Sequence, residues 1–476
     1  MRILIISEPK SSLANSLLKS SDYSLISVTP ENVHLCTGPE AIISGKKIDC
    51  PQHIEMDIVK IKEKLLAAYP LIDRWVSRRQ SISVSIGIML EYTISLIKII
   101  GNYPPKFAVV ETGAPHHLFT YCLDVALNYL GIKIYYLYGN AFDGRCLVVE
   151  GIEKKTVVRV SDYSAGNIIN GYIKKIKDSA LYIPEDSTRS ISPFLHKSAV
   201  YATFMYFKYS MSRFIRNLCD GKKSSISLQI KLKLQFLKLS EVISIFNAHK
   251  EYQKMLTSQG EFQVSKITPD DIVYVGHMLP EATSCPDSLY YPDEVDVLLD
   301  LKNRFPNSKI YYREHPAIGI FSEFGHIHMQ GLHKNIHFYY QLESLGIAIV
   351  PPSIHISKIR ERGCLFATKT GRVAAENSVL GIPTIIYGYP FYGIYMPLTF
   401  HISKLPLQST VKDIKALALS VKDSEVAIQK YLITMFSGSI ENPGIGLELN
   451  VCSRSVYESN FIQLIKYISS KNDSLN

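Results

Sequence analysis

Four short segments of the chain combine imidazoles, carboxylates, cations and hydroxyls at spacings that suit displacement of an anionic leaving group. The first is Tyr312-Arg313-Glu314-His315-Pro316, in which His315 follows the strand-like run KIYYR at 309–313. Pro316 biases His315 towards an extended conformation, which fixes a titratable imidazole at the end of a strand. An imidazole there can donate to a phosphate oxygen. Side chains repeat every two residues along a strand, so Arg313 and His315 share a face. The second segment, Thr368-Lys369-Thr370-Gly371-Arg372, leads into a helical stretch from Val373 to Leu380. Free backbone N–H groups at a helix start suit an anion. An ordinary start would need only Thr370 as a cap. Glu376, in the second turn, either accepts from ribose hydroxyls or faces solvent.

The third segment, Gly276-His277-Met278-Leu279-Pro280-Glu281, follows the run IVYVG. It brings Glu281 to the same edge as a base or nucleophile. The fourth, Glu111-Thr112-Gly113-Ala114-Pro115-His116-His117, follows FAVVE. Glu111, His116 and His117 are candidates for the acceptor side, against the plainer reading of a His pair that caps the next helix.

Two tempting clusters are set aside. His326, His328, His333 and His337 have no carboxylate or Cys at ligand spacing, so no metal is expected. Glu294-Val295-Asp296 falls inside a predicted helix from Asp293 to Arg304 and is expected to be a solvated face. There is no GxGxxG and no Walker loop, which argues against a dinucleotide enzyme or an ATPase.

The elements that must position these residues alternate. Short β-branched runs at Arg2–Ser7, Phe107–Glu111, Ile132–Tyr138, Ile272–Gly276, Lys309–Arg313, Ile347–Val350, Cys364–Thr368 and Thr384–Tyr387 are separated by helical patterns. Residues 107–138 read as a βαβ unit, followed by a pair of short strands at Leu147–Glu150 and Val157–Val160. This order predicts parallel sheets covered by helices. Residues 178–197 are rich in Ser, Pro and charge and read as a boundary. The expected organisation is an N-terminal Rossmann-like domain over 1–198, a basic helical connector over 199–260, a second Rossmann-like domain over 261–423, and terminal helices over 424–476 that pack back on the first domain. Two such domains face each other across a cleft, and ligands sit at the carboxyl ends of the strands.

With 476 residues, 46% apolar and 20% charged, the composition is that of a globular protein and excludes long disorder, collagen and a disulfide scaffold. The most apolar stretch, Ser83–Ile100, contains Glu91 and Lys98 and reads as a buried helix rather than a membrane span. The start, MRILIIS, is too short for a signal peptide and reads as a strand, so the chain is expected in the cytoplasm. None of the eight cysteines is at CxxC spacing, and free buried thiols are expected. The net charge is +9, and residues 200–240 hold eight Lys/Arg against Asp220. That patch predicts either a solvated helix face or an anionic partner.

Taken together, LPEATSCPD (279–287), YREHP (312–316), TKTGRVAAENSVLGIPTIIYG (368–388) and PHHLFTYCLDVALNYLGI (115–132) resemble the bacterial capsule and lipopolysaccharide glycosyltransferases that use CMP-Kdo or related CMP-activated sugars. The resemblance covers about residues 107–140 and 270–395. It implies a GT-B-like α/β fold with the donor in the C-terminal domain and terminal helices crossing back. It implies that His315 meets the CMP phosphate and that Thr368, Lys369, Thr370 and Gly371 cradle it, although a serine-rich loop is the usual pattern. It further implies transfer with retention, with Glu281 as nucleophile and Asp287 in reserve. No cofactor or metal is expected beyond the CMP-sugar donor. A monophosphate leaving group can be stabilised by an imidazole, a helix start and a cation, and a nearby carboxylate would serve an oxocarbenium-like centre. The partners implied are the nucleotide-sugar donor, a glycan or lipid-linked acceptor and an anionic membrane surface met through 200–240, with no nucleic acid. Rival readings are a CDP-polyol phosphotransferase of the teichoic-acid type and a non-catalytic glycan-assembly protein of the same fold.

Overall fold

The computed structural model describes residues 2–6, 24–27, 40–43, 46–49, 56–67, 82–102, 104–110, 118–142, 145–151, 156–160, scattered positions from 169 to 208, 239–258, 262–277, 287–288, 291, 293–315, 336–351, 354–390, 396–421, 424–441 and 454–473. Glu111, His116, His117, Glu281, the histidines at 326, 328 and 333 and nearly all of the basic 200–240 stretch lie outside these residues.

The first unit is a seven-stranded sheet. Its strands are β1 (Arg2–Ile6), β2 (Ser24–Ser27), β5 (Phe107–Val110), β6 (Lys133–Phe142), β7 (Arg145–Glu150), β8 (Thr156–Val157) and β15 (Ser439–Glu441). The order is β15-β7-β6-β5-β1-β2, with β8 beside β7. Strands β2, β1, β5 and β6 run parallel, and β7 turns back antiparallel to β6. A separate hairpin joins β3 (Glu40–Ile43) to β4 (Lys46–Asp49). Helices α1 (Ile58–Ala67), α2 (Ile82–Asn102) and α3 (Leu118–Tyr129) cover one face of the sheet. Helix α2 contains the whole apolar stretch read as a buried helix, and no helix among the described residues is long and apolar enough to cross a membrane.

Beyond α4 (Leu239–Ser258) the second unit is a six-stranded, wholly parallel sheet. It contains β9 (Ile272–Val275), β10 (Ile310–Arg313), β11 (Ala348–Val350), β12 (Leu365–Thr368), β13 (Thr384–Ile386) and β14 (Thr399–His401). Helices α5 (Glu294–Arg304), α6 (Ile336–Ser344), α7 (Ile356–Arg360), α8 (Val373–Val379) and α9 (Val411–Leu419) alternate with the strands. Every residue of β9, β10, β12 and β13 is buried. Such continuous burial is what a parallel sheet with both faces covered requires. The two-residue period sorts Ile272, Tyr274, Ile310 and Tyr312 to one face and Val273, Val275 and Tyr311 to the other.

The tail returns to the first unit. In α10 (Ser424–Ser437), Ile428, Leu432, Met435 and Phe436 join the core under α2 and α3, and Ala374 and Val379 of α8 belong to the same cluster. Strand β15 pairs antiparallel with β7, and α11 (Arg454–Asp473) buries Phe461, Leu464, Ile465 and Ile468 against the opposite face. The architecture is therefore GT-B-like α/β: two Rossmann-like units with terminal helices crossing back. Cys122, Cys146 and Cys364 are buried. Two repeats of His-Ile-Ser-Lys, at 355–358 and 401–404, each open a helical turn, with the His Nδ1 accepting from the backbone N–H of Ser357 or Ser403 at 3.3 Å.

Candidate functional site

The strand order β11-β10-β9-β12-β13-β14 reverses direction between β9 and β12. In an open parallel sheet the crevice beyond the carboxyl ends at such a point is where ligands bind. The segments following β9 and β12 are His277 and the Thr368–Gly371 loop, and the two are bonded together. The Thr370 backbone N–H donates to His277 Nε2 at 3.1 Å, and the Thr368 hydroxyl lies 3.1 Å from the same nitrogen. Because Nε2 accepts from a backbone N–H, it carries the lone pair and the ring proton sits on Nδ1. The Thr368 hydroxyl is also 3.1 Å from the Val275 carbonyl, and its single proton serves one acceptor at a time. His277, Thr368, Lys369 and Thr370 are all buried, and Lys369 is among the largest fully buried side chains.

Three glycines allow this close packing. A Cβ on Gly371 would stand 2.6 Å from Thr368 Oγ1 and 3.4 Å from His277 Nε2. One on Gly276 would stand 2.6 Å from the Tyr312 hydroxyl, and one on Gly388 would stand 2.6 Å from the Asp287 carbonyl. The backbone carbonyl of Lys369 accepts from Tyr387 and Gly388, which ties the loop to the end of β13. Thr370 does not cap α8: its N-cap is Arg372, with no side-chain bond.

β9 and β10 are neighbours, so the His277 and His315 segments open on one edge. His315 is half-buried, and its backbone N–H donates to Glu314 Oε1 at 2.9 Å. Arg313 is buried, donates to the Ile354 carbonyl at 3.3 Å, and has its guanidinium held down to about 10 by burial, with Arg360 adding repulsion. Glu376 neither stands free over the cleft nor simply faces solvent. It pairs with Arg360 at 2.8 Å and Arg372 at 3.5 Å. Asp287 is buried; its carbonyl accepts from the Tyr389 N–H at 2.6 Å. Burial raises the Tyr138 phenol well above its ordinary value, and the Asp287 charge adds to that. Asp287 therefore acts on a tyrosine of the first unit.

The expectation of a solvated Glu294 is wrong. Asp293 caps α5 through the Val295 N–H at 3.1 Å, which turns Glu294 inward. There it is fully buried and accepts from the His277 backbone N–H and from the Tyr312 hydroxyl. Asp296, two residues on, is exposed as expected. Although the residue is exposed overall, partial desolvation of its carboxyl, and then Asp293, raise it, and Lys369 opposes this, so the buried ammonium acts on the first turn of α5. Sequence reasoning also passed over Glu314 and Tyr312. Their signal was available in the two-residue period, which puts both on the face opposite Arg313.

No protein-family model and no curated protein matches the chain. Solved structures similar to it include Thermosulfurimonas dismutans KpsC, beta Kdo 2,7 transferase, at 14% identity over 71% of this chain and 88% of that one, with a TM-score of 0.26. The beta Kdo 2,4 transferase of the same KpsC matches at 12% identity over 65% and 78%, with a TM-score of 0.28. A UDP-GlcNAc 2-epimerase from Methanocaldococcus jannaschii matches at 11% identity over 98% and 100%, with a TM-score of 0.21. Scores this low lend no weight to a reading of the site, which stands on its own residues.

Proposed function

We propose that the protein is a glycosyltransferase that moves Kdo or a related nonulosonic acid from its CMP donor to a growing capsule or lipopolysaccharide glycan, with retention and without a metal. The observation that carries this reading is the joined pair of segments at the reversal point of the second sheet. His277 pins the Thr368–Gly371 loop there, beside a buried Lys369.

In this reading the nucleotide phosphate sits against the 368–371 loop, with His315 and Arg313 contributing from the neighbouring strand. Lys369 offsets the charge that develops on the leaving CMP. Glu376, held by Arg360, orients towards the ribose. Glu281 attacks the anomeric carbon as the phosphate leaves. The acceptor hydroxyl then displaces the glutamate, and two inversions give retention. Asp287 and Glu111 are the reserve carboxylates, and His116 and His117 serve the acceptor side. The basic 200–240 stretch meets an anionic membrane surface that carries the acceptor.

The test is a thermal-shift comparison of CMP, CDP, CDP-glycerol, UDP and GDP, with and without EDTA. A ligand at 100 times its Kd stabilises by about 2.7 kcal/mol. The expected result is a CMP response that EDTA leaves unchanged, together with loss of turnover but not of CMP binding in Glu281→Gln. A stronger response to UDP or GDP, or dependence on a metal, refutes the reading. Cleavage of CDP-glycerol would make the protein a polyol phosphotransferase, and absence of any nucleotide response would leave a non-catalytic assembly protein.

A further inference from the structure

Two glutamates that the proposed chemistry does not use are fully buried and share one hydroxyl. Tyr312 Oη lies 2.8 Å from Glu294 Oε2 and 3.0 Å from Glu314 Oε1. Glu294 also accepts from the His277 backbone N–H, and Glu314 from that of His315. Backbone N–H, carboxyl, phenol, carboxyl and backbone N–H thus form one line joining the segments that follow β9 and β10. Gly276 leaves the space that the phenol occupies.

A phenol has a single proton. It satisfies one carboxylate by donating; the other is then faced by an oxygen lone pair at hydrogen-bond distance. Two ionised carboxylates this close in a buried setting repel strongly, and the usual outcome is that one stays protonated. We propose that Glu294, Tyr312 and Glu314 hold one extra proton among them at neutral pH and act as positioning residues that fix the His277 and His315 segments at constant spacing.

Two further phenols touch the pair. Tyr339 donates to Glu314 at 3.5 Å and Tyr274 to Glu294 at 3.5 Å, which are weak contacts from neutral phenols. Tyr252 from α4 faces Glu314 and Arg313; Tyr387 and Asp293 face Tyr274. Burial, followed by the neighbouring glutamates, pushes the Tyr312 phenol well above its ordinary value, so the phenol keeps its own proton.

The proton is read by infrared spectroscopy of the full chain labelled with 13Cδ-glutamate. The expected result at pH 7.5 is a protonated-carboxyl C=O band that carries the isotope shift and moves in D2O. The one other buried glutamate among the described residues, Glu251, bonds to Lys254 at 2.9 Å, and loss of the band in Glu294→Gln or Glu314→Gln assigns it to the pair. A spectrum without it overturns the proposal, whatever the variants do.

A second readout uses linkage. The folded pair keeps a proton that unfolded glutamates, with pKa near ~4.3, have lost. Stability from this source is therefore present at low pH and falls as pH rises towards the pair's raised value. The slope is up to about tenfold in the folding constant per pH unit. Glu314→Gln and Glu294→Gln each mimic the protonated acid and should remove that slope between pH 6.5 and 9, along with the band. An unchanged slope and band in both overturns the assignment. The proton count does not depend on the transferase reading; if CMP fails to bind, that reading falls and this one is still decided.

Discussion

Replacing Gly371 with Ala tests how the candidate loop is built. The added methyl would lie 2.6 Å from Thr368 Oγ1, a separation that real Cβ atoms essentially never show, and 3.4 Å from His277 Nε2. Thr368 is fully buried and β-branched, and its hydroxyl is fixed by the Val275 carbonyl at 3.1 Å. It cannot move aside without leaving that carbonyl or changing rotamer. Overpacking costs about 1–3 kcal/mol, and a lost buried hydrogen bond adds about 1 kcal/mol. The expected destabilisation is therefore about 2–4 kcal/mol. In urea titrations the midpoint should fall with the slope unchanged. CMP affinity should fall as well, since the disturbed loop is the proposed phosphate site. Thr368→Ala removes the atom that the methyl meets. On that background Gly371→Ala should cost less by at least about 1 kcal/mol, a coupling expected only of groups in contact. A Gly371→Ala variant within about 0.5 kcal/mol of the parent, or equal costs on both backgrounds, would refute the reasoning.

Burial pushes the Cys122 and Cys364 thiols up to about 12, so the native protein should resist iodoacetamide at pH 8 at both positions and react only after unfolding; mass spectrometry of native labelling checks this. Burial lowers the His401 imidazole to about 4, so the unfolded chain takes up a proton below about 6.5 that the folded chain refuses until near 4. Stability should therefore fall as pH drops through that window. His401→Asn, whose amide oxygen can still accept from Ser403, should show a flatter dependence in urea midpoints at pH 4.5 and 7; equal dependence in both proteins would remove His401 as the cause.

The candidate loops were legible in the sequence because each follows a short apolar run, and a parallel strand must release its chain at its carboxyl end. Patterns such as IVYVG and KIYYR place His277 and His315 at a sheet edge without any knowledge of which strands pair. Strand and helix type were likewise local: α2 and α5 match their periodic stretches to within two residues. What the sequence could not supply was pairing. Nothing local states that β9 lies between β10 and β12, so nothing local joins His277 to Thr370 across 93 residues. The three-residue strands β14 and β15 carry too little pattern to be seen alone; β15 exists because β7 offers an open edge. Glu294 is the sharpest case. By residue type it belongs on a solvated helix face, and an isolated helix would put it there. It is buried because the His277 N–H and the Tyr312 hydroxyl converge on that position from two different strands, and only the folded sheet brings those donors together.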